Sequence, residues 1–284
     1  MSRVLSGKAV AAALLESLRP RVAQMTDSGA TPTLATLRAG DRPDSIAYQR
    51  AAVKRCTGLG IKTREVVLPA DISQDEFLRA VEAINDDRSI HGCLILMPLP
   101  KGIDAAAVRA TLAPEKDVDG ITPVSQAAVY AGRGAGFPPC TPAACMHLLH
   151  HYKIPIAGAR AVVLGRSLTV GRPLAMLLMS ENATVTICHT STKNTAEIAR
   201  KADILVAAVG HAGSVTAEFT NENQTIIDVG INLGPDGKLC GDVAQDASAA
   251  CGAISPVPGG IGSITTTVLA EHVVNACKAL TSRT

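Results

Sequence analysis

The 284-residue chain has few aromatic residues: three Tyr, three Phe and no Trp. Proteins that bind single-stranded nucleic acid use aromatic side chains as platforms for the bases, so this shortage argues against such binding. An excess of positive charge is also lacking, because 27 basic and 25 acidic residues leave a formal net charge of only +2. Since duplex DNA is bound by strongly cationic surfaces, we expect no nucleic-acid partner. With 47% hydrophobic residues, the chain is predicted to fold around an aliphatic core.

Long hydrophobic runs and paired cysteines are absent too. Runs such as residues 204–209 fall far short of the about 20 residues that a membrane-spanning helix needs. The apolar patch at residues 10–15 ends at Glu16 without a cleavage-like site, which indicates a helix rather than a signal peptide. The eight cysteines include no Cys-x-x-Cys pair, as expected for reduced thiols that pack as small hydrophobes. These features predict a cytoplasmic protein with no membrane partner.

Short apolar runs alternate with stretches of helical periodicity, a pattern typical of a parallel sheet wrapped by helices. The predicted strands are residues 33–37, 62–68, 92–97, 161–164, 184–188, 204–209 and 225–229. The predicted helices are residues 7–25, 44–59, 73–85, 143–152, 173–180, 195–201 and 264–280. We expect Pro20 to kink or break the first helix, and Asp44 or Ser45 to cap the second. Ser73 and Glu76 have the spacing of a capping box.

A chain of this length corresponds to roughly two domains at about 150 residues each. The glycine-rich segment 131–136, followed by several prolines, marks the border between them. The predicted fold class is α/β, with an N-terminal α/β substrate domain and a C-terminal Rossmann-like domain separated by a cleft. The substrate domain is predicted at residues 1–139 together with the C-terminal helix at 264–284. The Rossmann-like domain is predicted at residues 140–263.

The second predicted domain contains a loop suited to binding a phosphate. An apolar strand meets Gly165, a short loop follows, and a helix opens with Pro173 near its first position. Backbone N–H groups at such a helix start can bind a phosphate. The pattern is not a strict G-x-G-x-x-G, because Ser167 replaces the second glycine and Gly171 comes one residue late. A strand, turn and helix without any ligand is the alternative interpretation.

The next strand bears on the choice between NAD and NADP. In NAD-binding folds an acidic residue about 20 residues further on binds the ribose 2′-OH. Here the strand at 184–188 is followed by His189, Thr190, Ser191 and Thr192, with no carboxylate. Arg166 in the loop is suited to pair with a 2′-phosphate, and Thr190 to donate a hydroxyl. The sequence therefore favours NADP as the cofactor.

Loops fixed by proline and glycine follow several predicted elements and are typical of the walls of a binding cleft. These strings are residues 44–48, 98–100, 114–120 and 256–262. Asp119 in one of them has the chemistry to accept hydrogen bonds from an amide-like or guanidine-like ring edge. The alternative is that the strings are ordinary turns, with Asp117 and Asp119 serving only as caps.

Together with the strings at 139–142, 165–167, 182–185, 227–232 and 241–243, these motifs resemble the methylenetetrahydrofolate dehydrogenase/cyclohydrolase family from about Gly7 to Cys277. The resemblance implies a homodimer that binds NADP on its second domain. It also implies oxidation of 5,10-methylenetetrahydrofolate to the methenyl form, which many members then hydrolyse to 10-formyltetrahydrofolate. No metal is implied.

The resemblance also assigns site residues. The implied catalytic residues, which also line the folate pocket, are Tyr48 and Asp119. Pro98 would bind substrate as well, and a loop formed by Pro258, Gly259 and Gly260 would close over the site. The implied NADP contacts are Gly165, Arg166, Ser167, Thr190 and Ile231.

Two departures from the family pattern concern the hydrolytic step. The family's catalytic lysine falls at Ala52, and the glutamine that partners it falls at Leu96. Lys54 lies ~200° around the helix from position 52 and is predicted to be solvated. Hydride transfer needs mainly proximity and alignment, whereas hydrolysis needs activated water and a proton shuttle. We therefore expect a dehydrogenase whose cyclohydrolase activity is weak or absent.

Three alternatives remain open. One is the full bifunctional enzyme, with another group such as Lys54 replacing the missing base after a local helix shift. Another is a catalytically silent NADP-binding protein that acts as a sensor or scaffold. The third is a dehydrogenase of the same fold with another small substrate. His147, His150 and His151 are spaced as in a zinc site, but no evident carboxylate or cysteine completes the set, so we predict ordinary surface or packing histidines.

Overall fold

The computed structural model describes residues 2–234 and 236–282. In chain order, the strands are β1 (Arg3–Val4), β2 (Thr33–Ala39), β3 (Lys62–Leu68), β4 (Gly92–Ile95), β5 (Arg160–Leu164), β6 (Thr184–Cys188), β7 (Ile204–Ala207), β8 (Thr225–Asp228), β9 (Asn232–Leu233), β10 (Leu239–Cys240) and β11 (Ala253–Ser255). The α-helices are α1 (Gly7–Asp27), α2 (Pro43–Thr57), α3 (Gln74–Asp86), α4 (Ala105–Thr111), α5 (Pro123–Ala131), α6 (Cys140–His151), α7 (Gly171–Ser180), α8 (Thr195–Arg200), α9 (Gln245–Ala250) and α10 (Thr265–Thr281). Within the described ranges, none of these helices has the length and apolar character needed to cross a membrane.

The chain divides into two compact units. The six-stranded unit comprises the residues up to Ala12 together with Thr141–Thr265, and the three-stranded unit comprises Ala13–Cys140 together with the residues from Thr266 on. This division differs at the N terminus from the predicted substrate domain, which begins at residue 1. The reason is that β1 pairs in parallel with β11, so the first residues belong to the other sheet.

The six-stranded unit is built on a parallel sheet with the order β1-β11-β8-β7-β5-β6. Every residue of β7 is buried, as expected for a parallel strand covered on both faces. In the register, Leu164 lies opposite Cys188 on one side and Ala207 on the other, and Ala207 lies opposite Asp228. The carboxyl ends of β5, β6, β7 and β8 therefore meet at one edge of the sheet.

The three-stranded unit has a smaller parallel sheet with the order β3-β2-β4. Its apolar core includes Phe77, Val81 and Ile84 from α3 together with residues of β2 and β4. The buried members of this cluster are aliphatic or cysteine apart from Phe77, which confirms the predicted aliphatic core. The carboxyl end of β4 leads directly into residues 96–98, where the peptide bond between Met97 and Pro98 is cis.

Local sequence signals place some helix starts correctly and others wrongly. The capping box is confirmed, because the Ser73 hydroxyl accepts a hydrogen bond from the Glu76 N–H while the Glu76 carboxylate accepts one from the Ser73 N–H. The predicted cap of α2 by Asp44 or Ser45 is wrong, since the helix begins at Pro43. A proline is well suited to a first helical position, and the Asp44 carboxylate instead accepts hydrogen bonds from the Arg42 guanidinium.

Two further prolines stand differently from the prediction. Pro20 does not break α1, which continues to Asp27, and the predicted kink stays a prediction. Leu18 and Val22, four residues apart on one helix face, are both buried and hold the helix against the core on either side of the proline. In α7 the first helical residue is Gly171, so Pro173 lies at the third position rather than the first.

Candidate active site

Two glycines shape the loop between β5 and α7. Gly165 has φ of +111°, and a Cβ there would collide with the carbonyl oxygen of Ala208. A Cβ on Gly171 would collide with the carbonyl oxygen of Gly165. The loop is therefore a tight turn in which both positions need glycine because of close backbone approach. This confirms the turn predicted from the sequence.

Ser167 explains how the loop holds its shape without the second glycine of the usual pattern. Its hydroxyl accepts hydrogen bonds from the N–H groups of Val170, at 3.1 Å, and Gly171, at 3.4 Å. Within the described chain, no protein acceptor meets the N–H groups of Arg166, Leu168 and Thr169. These N–H groups are available to an anion at the start of a helix, which fits the phosphates of a dinucleotide.

Arg166 and Thr190 lie at the same edge of the sheet. The N–H of Gly165 donates to the carbonyl oxygen of Cys188 at 2.9 Å, so the loop after β5 and the turn after β6 are neighbours. Both Arg166 and Thr190 are exposed. The turn is stabilised from within, because the Thr192 hydroxyl accepts a hydrogen bond from the His189 N–H at 2.9 Å. Arg166 in the loop after β5, together with a turn after β6 that offers a hydroxyl and no carboxylate, fits the 2′-phosphate of NADP.

The other residues predicted in the nucleotide and loop regions also belong to the six-stranded unit. Ile231 follows β8 and is 68% exposed. Pro258, after a cis peptide bond with Val257, leads into Gly259, whose carbonyl oxygen accepts a hydrogen bond from the Gly7 N–H at 2.9 Å. Gly260 is buried. The predicted closure of this loop over a bound substrate stays a prediction.

In the three-stranded unit, a cavity of about 210 Å³ lies at the carboxyl end of β4. Its lining residues are Asp44, Ser45, Tyr48, Leu94, Ile95, Leu96, Met97 and Asp119. Tyr48 comes from α2, and Asp119 comes from the loop before α5. The structure thus brings together the two predicted catalytic residues, and Pro98 follows directly after the lining residue Met97.

Burial alters the acid–base chemistry of this cavity. It raises the pKa of Asp119 to about 7, while a hydrogen bond from the Cys140 thiol lowers that pKa and the charge of Asp117 raises it. Burial also raises the pKa of Tyr48 above its ordinary value, and the nearby Asp119 and Cys140 add to the effect. Tyr48 is therefore a neutral hydroxyl at physiological pH, whereas Asp119 changes its charge there.

Asp117 and Asp119, whose roles the sequence left open, have different surroundings in the structure. The buried carboxylate of Asp117 accepts hydrogen bonds from the N–H groups of Ile121 and Thr122, at 2.9 and 2.8 Å, and from the Ser125 hydroxyl at 2.6 Å. Asp117 therefore fixes the turn that precedes α5, while Thr122 is the residue that caps the helix, its hydroxyl accepting a hydrogen bond from the Ser125 N–H. The expected capping role of Asp117 is wrong, although it does serve a turn rather than the cavity. Asp119 instead faces the cavity.

The positions that depart from the family pattern are buried and apolar. Ala52 has no exposed surface and Leu96 is 4% exposed. Lys54 is exposed on the surface of α2, which confirms its predicted solvated position. One turn before Ala52 on α2 is Gln49, whose side-chain amide donates a buried hydrogen bond to the Thr36 hydroxyl at 2.8 Å.

Sequence reasoning missed several functional neighbours. Cys140 lies in the string at 139–142, for which the sequence predicts no role. Its buried thiol donates to the carbonyl oxygen of Val118 at 3.4 Å and lowers the pKa of Asp119. Asp228 and Asp242, both buried, also lie in strings for which the sequence predicts no role. His150 pairs with Glu181 at 2.7 Å, and among residues 2–234 and 236–282 no cluster of three or more potential metal ligands is found.

A glycine turn at the carboxyl edge of a parallel sheet, with helices packed around it, defines the class: an α/β dinucleotide-binding protein. The comparisons with known proteins go further. Residues 5–119 match the model of the tetrahydrofolate dehydrogenase/cyclohydrolase catalytic domain, and residues 139–281 match that of its NAD(P)-binding domain. The chain therefore belongs to the tetrahydrofolate dehydrogenase/cyclohydrolase family.

Individual relatives agree with the family models over nearly the whole chain. The bifunctional protein FolD of Carboxydothermus hydrogenoformans is 48% identical over 99% of this chain and 99% of its own length. The crystal structure of the bifunctional FolD enzyme of Campylobacter jejuni has a TM-score of 0.96 and 36% identity, covering 98% of this chain and 99% of that one. The Trypanosoma brucei enzyme, described as complexed with NADP cofactor and inhibitor, has a TM-score of 0.93 and 35% identity, covering 100% and 99%.

Proposed function

We propose that this chain oxidises 5,10-methylenetetrahydrofolate to 5,10-methenyltetrahydrofolate with NADP as the oxidant. The observation that carries the proposal is the cavity of about 210 Å³ that Tyr48 and Asp119 line together. It combines a neutral phenol with a titratable carboxyl, which suits the hydrogen-bonding edge of a pterin-like ring. The glycine turn of the other unit supports the NAD(P) half of the reaction.

The residues present suit a hydride transfer. When bound, NADP supplies a nicotinamide ring that accepts a hydride. The C–H bond of the methylene bridge breaks with both electrons leaving the folate, and the positive charge that remains is shared with the two flanking nitrogens. No proton has to reach a protein base, so Tyr48 and Asp119 need only bind and orient the substrate.

The choice of NADP over NAD is supported by Arg166 and Thr190 after β5 and β6. It is also supported by the NADP named for the Trypanosoma brucei relative. The test is the initial rate of nucleotide reduction by the purified chain with methylenetetrahydrofolate and either NADP or NAD. We expect reduction of NADP at a higher kcat/KM than NAD. No reduction of either nucleotide would instead support the silent sensor or scaffold.

Cyclohydrolase activity is a second candidate function, and two observations about it point in opposite directions. The relatives that match over the whole chain are named bifunctional, which supports the bifunctional alternative better than the predicted loss. The loss is supported only by residues of this chain, since buried Ala52 and Leu96 offer neither an amine nor an amide. The exposed position of Lys54 does not suit it to replace them.

A separate assay decides between these candidates. Purified enzyme is mixed with methenyltetrahydrofolate, and its decay to 10-formyltetrahydrofolate is compared with the spontaneous rate in the same buffer. Decay at the spontaneous rate supports the monofunctional dehydrogenase. Faster decay supports the bifunctional enzyme, and loss of that decay in Lys54→Ala would identify the replacement base. The homodimer and the cytoplasmic setting stay predictions from the sequence.

A further inference from the structure

We propose that Asp242 is a positioning residue for the bound dinucleotide, because its buried carboxylate fixes the loops that follow β7 and β8. The inference rests on the proposed function, since it takes NADP as the ligand. Asp242 itself has no exposed surface, so it acts through the backbone around it rather than by touching the ligand.

The Asp242 carboxylate accepts four hydrogen bonds. One oxygen, Oδ2, accepts hydrogen bonds from the N–H groups of Val209 at 2.7 Å and Gly210 at 3.0 Å. The other, Oδ1, accepts from the N–H of His211 at 3.0 Å and from the side-chain amide of Asn232 at 2.9 Å. Three successive N–H groups after β7 thus converge on one carboxylate, which is an arrangement that fixes the course of the loop.

A second carboxylate holds Asp242 in place. Buried Asp228, at the end of β8, accepts hydrogen bonds from the N–H groups of Gly230, Asp242 and Val243, each at 3.0 Å. The glycines make room for this packing, since a Cβ on Gly230 would collide with the Asp242 carboxylate and one on Gly241 with that of Asp228. The hydrogen bonds to Asp228 and Asp242 therefore fix the loop after β7 and the loop after β8 relative to each other.

These loops lie at the edge of the sheet where a dinucleotide would bind. The N–H of Ala208 donates to the carbonyl oxygen of Leu164 at 3.0 Å, which puts the loop after β7 beside the Gly165 turn. Ile231, predicted to contact NADP, lies directly before Asn232. Ligands of open α/β sheets bind outside the carboxyl ends of the strands, so the segment that Asp242 braces faces the ligand.

Asp203 provides a matched control at the opposite end of the same strand. It precedes β7, and its carboxylate accepts hydrogen bonds from the Arg160 N–H at 2.8 Å and from the Arg160 guanidinium at 3.0 Å. Like Asp242, it accepts a backbone hydrogen bond from another segment, although through one N–H group and the Arg160 guanidinium, and its side chain is 48% exposed. It does so at the amino end, away from the Gly165 turn.

The experiment compares Asp242→Asn with Asp203→Asn in the full-length chain. The affinity for NADP is measured by calorimetric titration without folate, thermal unfolding is measured without nucleotide, and KM values are measured for both substrates. Asparagine keeps one acceptor oxygen, but its NH2 group would face N–H donors in place of the other oxygen, so in Asp242→Asn we expect the NADP Kd and KM to rise about tenfold or more. The folate KM should stay within twofold of the wild-type value.

The control shows whether a raised NADP Kd comes from the place of Asp242 beside the ligand or from a general loss of stability. We expect Asp203→Asn to lower the unfolding temperature while its NADP Kd stays within twofold of wild type. Equal weakening by both variants, or an unchanged Kd in Asp242→Asn, would overturn the proposal. If Asp242→Asn does not fold, Asn232→Ala decides: a Kd raised threefold or more supports the proposal, and an unchanged one overturns it. Failure of the wild-type chain to bind NADP would instead overturn the proposed function.

Discussion

The raised pKa of Asp119 predicts how the reaction depends on pH. If the ionised carboxylate accepts hydrogen bonds from the ring edge of the folate, only enzyme with Asp119 ionised binds the substrate well. Burial brings the pKa of this group to about 7, whereas an ordinary aspartate is ionised throughout the neutral range. The perturbation to apply is therefore a change in pH between 6 and 8.

The size of the effect follows from the pKa. With a pKa of about 7, roughly one Asp119 carboxyl in eleven is ionised at pH 6 and roughly ten in eleven at pH 8. We therefore expect kcat/KM for methylenetetrahydrofolate to rise about tenfold over this range and to level off above it. This parameter reports the ionisation of the free enzyme, so the inflection should fall near the pKa of Asp119.

The assay is steady-state nucleotide reduction at saturating NADP with varied folate. In Asp119→Asn we expect a much lower kcat/KM that no longer depends on pH. A wild-type profile that is flat from pH 6 to 8, or one that Asp119→Asn retains, would refute the reasoning.

Three further predictions concern the cofactor, the hydrolytic step and the core. Arg166→Ala should raise the KM for NADP by about tenfold or more while leaving that for NAD within twofold; an equal rise for both would contradict the 2′-phosphate assignment. Ala52→Lys with Leu96→Gln should increase the enzyme-dependent decay of methenyltetrahydrofolate above that of the wild type, and no increase in a folded double variant would count against the role assigned to these positions. Phe77→Ala, at a side chain with no exposed surface, should lower the free energy of unfolding by about 3–5 kcal/mol, as measured by urea denaturation; a loss under about 1 kcal/mol would mean the site is not tightly packed.

Local patterns predicted those parts of the fold that local chemistry determines. The strands at Lys62–Leu68 and Thr184–Cys188 have the predicted bounds, because their apolar or β-branched residues stand between turn-forming residues. The sequence did not predict β1, because a strand of two exposed residues has no alternation of apolar and polar residues. It exists because it pairs with β11, some 250 residues later in the chain, and such distant pairing leaves no local pattern.

The same contrast holds for the candidate site. The Gly165 turn is visible in the sequence because close backbone approach requires glycine at fixed positions. The partners that tune or hold the site are not visible. Cys140 affects the pKa of Asp119 from a different element, and the donors to Asp242 come from the loop after β7 and from β9, which the sequence alone does not bring together.

The most direct test of the central claim follows the transferred atom. Folate deuterated at the methylene bridge is mixed with the purified chain and NADP, and the reduced nucleotide is analysed by mass spectrometry and NMR. We expect one deuterium on the nicotinamide ring of each NADPH formed, with an equal amount of methenyltetrahydrofolate as the first product. Deuterium released to water, or no reduced nucleotide at all, would contradict it.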